Sequence, residues 1–132
     1  MKNIVNIILI IIFVLFSLLF VEETYVDTKS STPTKMHEKD YVNKYCTGKI
    51  EYILPDKTRI DCLTDEYAIE YDYAKKWAES IGQSLYYAKK TGKKPAVAII
   101  ISKASDRKYI QRIEAIEQGI TIFEILADNY SE

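Results

Sequence analysis

Hydrophobic and polar positions divide the chain into three regimes. From Ile4 to Val21 every residue is apolar except Asn6 and Ser17; from Glu22 to Met36 the chain is rich in Ser, Thr, Lys and Pro; from His37 onward apolar and polar residues recur in short blocks whose period changes. An unbroken run, a polar stretch and a periodic region predict a membrane-type helix, a linker and one folded domain. The boundaries fall at residues 1–21, 22–36 and 37–127, with a short polar tail over 128–132.

The first segment has a physical length. Eighteen residues at 1.5 Å each make about 27 Å, close to the roughly 30 Å hydrocarbon core of a bilayer. Lys2 precedes the run and Glu22 and Glu23 follow it, an order that favours the N-terminus inside and the rest outside. Two readings fit, an uncleaved single-pass anchor through residues 4–21 and a cleaved signal peptide. The second needs a small-residue cleavage site, and the exit SLLFVEET has none. The expectation is a membrane anchor with the C-terminal domain outside the cytoplasm; cleavage would leave that domain secreted or periplasmic.

In the periodic region, Tyr41, Val42 and Tyr45 recur at helical spacing and predict a helix over His37 to Cys46, capped by Gly48. Ile50, Tyr52 and Leu54 alternate through a strand from Gly48 to Pro55. Pro55 to Thr58 turns the chain into a second strand, Arg59 to Leu63, with Ile60 and Cys62 on one face and Arg59, Asp61 and Leu63 on the other. A third strand follows from Tyr67 to Tyr73, with Ile69, Tyr71 and Tyr73 opposite Ala68, Glu70 and Asp72. The period then lengthens. Ala74 to Lys90 reads as a helix with Trp77, Ile81, Leu85 and Ala88 inward, and Lys76, Glu79, Gln83, Tyr87 and Lys90 on a polar stripe. Thr91-Gly92 stops it. Pro95 to Ile101 is apolar throughout, as in a strand covered on both faces. A helix over Asp106 to Gln118, with Tyr109, Ile113 and Ile116 inward, and a strand over Ile120 to Leu126 complete the order. The fold class is α/β (α+β), an αβββαβαβ arrangement with a mixed sheet flanked by helices.

Charge changes the picture little. The 18 basic residues less Lys2 leave 17 against 19 acidic ones, a net −2. A nucleic-acid binder usually carries a basic footprint, so net charge does not support that partner, although a locally basic cleft is compatible with it. Cys46 and Cys62 are the two cysteines. In an exported chain they can form a disulfide or remain two buried thiols, and they lack the spacing of a zinc site. His37, the single histidine, belongs at an exposed helix start.

The chemistry gathers between Arg59 and Gln83. Asp61 and Glu70 fall on neighbouring strands, with Asp72 two residues beyond Glu70 on the same face. Oxygen ligands in this pattern suit Mg²⁺ or Mn²⁺. Such an ion polarises a phosphoryl oxygen and activates water, and a nearby lysine stabilises charge or positions that water. The plainer alternative is a solvated strand face in which Asp61 pairs with Arg59 or with a lysine of a neighbouring strand.

With Asp on the second strand and Glu on the third, the element order resembles the PD-(D/E)xK nuclease superfamily, with its restriction-endonuclease-like fold, over Glu38 to Leu126. The resemblance implies metal ligands at Asp61 and Glu70, a helper glutamine at Gln83 and a further acidic contact at Glu38. The family's lysine is expected at position 72, where this chain has Asp72, and Ile60 stands where the family often has proline. Lys76, with Lys75 second, is the substitute lysine, and Asp72 becomes a third metal ligand. The implied activity is Mg²⁺-dependent phosphodiester hydrolysis of nucleic acid. Its rival is a non-catalytic binding or envelope-structural module that retains the fold.

Overall fold

The computed structural model describes residues 1–19, 35–116 and 119–132. It contains two compact units, Met1–Thr32 and Pro33–Glu132. The first holds helix α1 (Lys2–Leu19), whose apolar side chains from Ile4 to Phe16 are exposed. Among the described residues no helix is long and apolar enough to cross a membrane. The expected anchor runs on to Val21, and that continuation lies outside the described residues, as does the expected linker except for Lys35 and Met36.

The second unit is a five-stranded mixed sheet in chain order, β1 (Lys49–Ile53), β2 (Arg59–Leu63), β3 (Tyr67–Tyr73), β4 (Lys94–Lys103) and β5 (Thr121–Ser131). The first three strands pair antiparallel; β3 with β4 and β4 with β5 pair parallel. The helices are α2 (Glu38–Tyr45), α3 (Trp77–Thr91) and α4 (Arg107–Ile116). Short 3-10 turns, Ala74–Lys76 and Ala104–Asp106, lead into α3 and α4. Thus the expected αβββαβαβ order and mixed sheet are present.

Alternation along β4 explains the layering. Ala96, Ala98 and Ile100 join Tyr41 and Val42 of α2 on one face; Val97, Ile99 and Ile101 join Ile110 and Ile113 of α4 on the other. A strand buried on both faces has no polar position to spare, hence the run PAVAIII. Gly92 caps α3 in the left-handed conformation at φ 70°, as expected from Thr91-Gly92.

Four sequence expectations change. The inward face of α3 carries Ser80, Ser84, Tyr87 and Ala88, while Leu85 is exposed. Ser80 shares its one hydroxyl proton between the Lys76 carbonyl at 3.1 Å and the Asp72 carboxylate at 2.9 Å, and Ser84 Oγ donates to the Ile81 carbonyl. Satisfied by these acceptors, the small hydroxyls can be buried and let α3 lie close on the sheet. In α4 Ile110 replaces Ile116, which is exposed. Residues 128–131, assigned to a polar tail, continue β5. They hold α2, since the Asp128 N–H donates to Tyr41 Oη at 3.2 Å and Lys44 pairs with the Asp128 carboxylate. Gly48 is not the helix cap, a position taken by extended Cys46. Its requirement is space, because a Cβ there would lie 2.2 Å from the Leu63 carbonyl oxygen.

Cys46 and Cys62 are joined by a disulfide that ties the end of α2 to β2. Replacing both by Ser should cost about 3 kcal/mol in urea unfolding, the loop-closure value for a separation of 16 residues. Gly48→Ala should destabilise by about 1–3 kcal/mol, since the contact it creates is with backbone. A variant as stable as the parent would remove the close approach from the account of this glycine.

Candidate functional site

The ladder between β2 and β3 is short. Cys62 pairs with Ile69 and Leu63 with Ala68; beyond these pairs the Tyr71 N–H turns to a side chain, donating to Asp61 Oδ2 at 3.0 Å. At Asp61 the strand also changes face. Ile60 packs with Ala68 and Tyr87 under α3, while Cys62 packs with Ile69 under α2. This overturns the expectation that Ile60 and Cys62 share a face. Simple alternation is broken locally, and Glu51, bracketed by the pairs Ile50 with Cys62 and Tyr52 with Ile60, holds φ 54°. A left-handed non-glycine residue costs roughly 1–2 kcal/mol. Such strain commonly accompanies functional sites.

Where the ladder stops, a cavity of about 300 Å³ opens. Asp61, Glu70 and Asp72 line it, with Lys76, Gln83 and Glu38 from the flanking helical elements. All six residues named from the sequence therefore meet in one place. Lys75 does not line it, and His37 is the N-terminal cap of α2, its N–H held by Asp40 Oδ2 at 2.7 Å. A larger groove of about 980 Å³ lies elsewhere on the sheet, walled by Leu63, Tyr67, Phe123 and Leu126, and contains none of these residues.

The contacts differ in kind. Asp72 Oδ2 accepts from Ser80 Oγ at 2.9 Å, and its Oδ1 lies 3.2 Å from Lys76 Nζ. Lys76 also reaches Glu38 Oε1 at 3.0 Å. Arg59 pairs with Glu51 at 3.1 Å, and the Asp61–Arg59 pair of the solvated-face alternative is absent among the described residues. Glu70 is 6% exposed, and its Oε2 is buried with no hydrogen-bond partner. Buried carboxylate oxygens are rarely left without one.

Electrostatics follow from burial. Desolvation first, then the charges of Asp61 and Asp72, push the Glu70 carboxyl up to about 9. Desolvation raises Asp72 to about 6 against the opposing pull of Ser80 and Lys76, and raises Asp61 as well. Lys76 is also held above its ordinary value, chiefly by Glu38, which for an amine favours the charged form. It is a fixed cation, with no free pair to act as a base. Among the described residues no group of three or more Asp, Glu, His or Cys is drawn tightly enough to hold a metal ion. Asp61 instead takes a backbone N–H and Asp72 a hydroxyl and an ammonium, while Glu70 keeps its proton beside Asp61.

Three participants escaped the sequence reading. Ser80 was assigned to no site. Glu51 lies across a left-handed bend that no periodicity shows. Tyr87 was placed on the polar stripe of α3, yet its ring is buried beside Ala68 and its phenol is raised by burial and by the charges of Glu70 and Asp61. The repeat of Ser80, Ser84 and Tyr87 at helical spacing was the available signal.

No family model matches the chain, no curated protein matches its sequence, and no solved structure matches its fold.

The burial of Glu70 has a consequence for stability. Its folded-state value lies above the unfolded 4.5, so between about pH 4.5 and about pH 9 the native state holds more protons and stability falls as pH rises. Asp72 adds to this slope between 3.8 and about 6. Glu70→Gln should therefore stabilise the metal-free chain at pH 7 by on the order of 1–3 kcal/mol and flatten its stability between pH 5 and 9. Urea unfolding at several pH values checks this. A variant less stable than the parent at pH 8 would contradict it.

Proposed function

We propose that the second unit is a restriction-endonuclease-like domain carrying a metal-dependent phosphodiesterase site for nucleic acid. The observation that carries this reading is Glu70. A strand-borne carboxylate is buried with an unpartnered oxygen, facing a cavity that also holds Asp61 and Asp72. A divalent cation would relieve both the orphaned acceptor and the mutual repulsion, and the oxygen-only donor set fits Mg²⁺ or Mn²⁺. The order of elements, with Asp61 on β2 and Glu70 on β3, supports the same reading.

Asp61, Glu70 and Asp72, which are not drawn tightly enough together to hold an ion as they stand, would have to close on it, and the ion when bound would supply Lewis-acid polarisation of a phosphoryl oxygen. Lys76, fixed by Glu38 and Asp72, supports charge that develops on the phosphate. Gln83 has the amide to orient water or substrate. Binding requires Glu70 to lose its proton, so affinity rises with pH up to about 9. The disulfide supports placing the domain outside the cytoplasm, by anchor or by export, since such bonds persist in oxidising compartments.

Calorimetry of the full chain with Mn²⁺ should show one saturable site with proton release, and both Asp61→Ala and Glu70→Ala should abolish it. Plasmid, single-stranded DNA and RNA should be cleaved with Mg²⁺ or Mn²⁺, with activity reduced at least about 100-fold in either variant. Metal binding without cleavage would favour the non-catalytic binding or envelope-structural module. No metal binding at all would end the proposal.

A further inference from the structure

Beside the acidic cavity lies a basic one. Lys35, Lys75 and Lys103 converge on a space of about 200 Å³ at the carboxyl ends of β3 and β4, lined also by Tyr73, Ser102 and Asp106. All three lysines are exposed, and among the described residues none makes an ion pair within 4.0 Å. Lys76, Lys44, Lys90 and Lys94 all have carboxylate partners. The single carboxylate in the lining, Asp106, is 6% exposed, and its Oδ2 already accepts the N–H groups of Ser102 and Lys103, each at 3.2 Å. Three cations thus face one carboxylate engaged by backbone.

The position of Lys35 is defined. Its ammonium sits over the Tyr73 ring, 5.2 Å from the centroid, and the Tyr73 hydroxyl donates to the Met36 carbonyl at 2.5 Å. Cations gathered without a counter-charge repel one another, and an anion shared among them reverses the sign of that interaction. Ligands of parallel strands collect at the carboxyl ends, where this cavity lies. Tyr73 follows Asp72 directly, and Lys75 is three residues beyond Asp72. The extended chain spans at most about 11 Å over that distance, so one polymer strand can reach both cavities.

We propose that the lysine cavity binds a phosphate of the nucleic-acid strand adjacent to the one presented to Asp61, Glu70 and Asp72. This inference rests on the phosphodiesterase reading of the acidic cavity. It assigns that site a substrate longer than a mononucleotide and accounts for nucleic-acid binding by a domain with no overall positive charge. Recognition through phosphate alone carries no sequence preference.

The test uses the full chain in neutral detergent and a fluorescein-labelled oligothymidylate, with binding followed by anisotropy in EDTA across a range of salt. The parent should bind, with affinity falling linearly against salt on logarithmic axes. In K35A/K75A/K103A the slope should flatten by about 0.7, the value for one lost phosphate contact on a single strand. The charge-conserving K35R/K75R/K103R should restore the slope, which separates lost charge from lost fold. Mn²⁺ calorimetry is run in parallel on each variant. A flattened slope with Mn²⁺ binding intact supports both sites. A flattened slope in a chain that binds no Mn²⁺ supports the lysine cavity and removes the metal reading alone. An unchanged slope, no oligonucleotide binding by the parent, or lysine-dependent binding to phosphatidylserine vesicles without an effect on the oligonucleotide slope would each overturn the inference.

Discussion

The structure depends on a conflict inside β3. This strand lies in the middle of the sheet, between an antiparallel and a parallel neighbour, and is covered by helices, yet it carries Glu70 and Asp72 inward. Apolar residues there would contribute about 25 cal/mol for each Å² removed from water. Two carboxylates forgo that gain and add a desolvation cost. The surroundings are arranged to contain it. The β2–β3 ladder ends early, Asp61 serves the freed Tyr71 N–H, Ser80 and Lys76 engage Asp72, and Glu38 holds Lys76 from α2. Glu70 is left with an unpartnered oxygen.

Much of this was legible in the sequence because the signals were local. Alternation bounded by turn residues gave β2 and β3 at their observed limits, and the apolar run of β4 announced burial on both faces. The candidate carboxylates followed, since strand order and alternation suffice to bring Asp61 and Glu70 together. What escaped was set by contacts distant in sequence. The face change at Asp61 arises where two halves of the sheet part. Ser80 and Ser84 look like solvent-facing residues until their acceptors are known. The end of β5 is polar in composition but is held by Tyr41 and Lys44 of α2. Leu85 shows the converse, an apolar residue at a plausible inward position that tertiary packing leaves outside.

The positive charge beside Asp72 comes from a neighbouring element. Lys76 enters from the 3-10 turn one helical turn later and sits against Asp72 itself. A cation delivered from this turn is held by two carboxylates on different elements, so its position follows both the sheet and α2. The site is therefore as well defined as the docking of an eight-residue helix.

That docking is secured early in the chain. Cys46 and Cys62 both precede β3, so a chain emerging N-terminus first can close the covalent loop through β1 and β2, with α2 tethered at its start, before any parallel pair exists. Antiparallel neighbours joined by short turns assemble from nearby residues, whereas the pairs β3–β4 and β4–β5 must wait for a crossover helix. The crosslinked segment offers the later strands a fixed edge, and Asp61, one residue before the bridging sulfur, is in place before Glu70 arrives. Closing the disulfide at that stage would let the costly carboxylates of β3 be added to an edge already fixed.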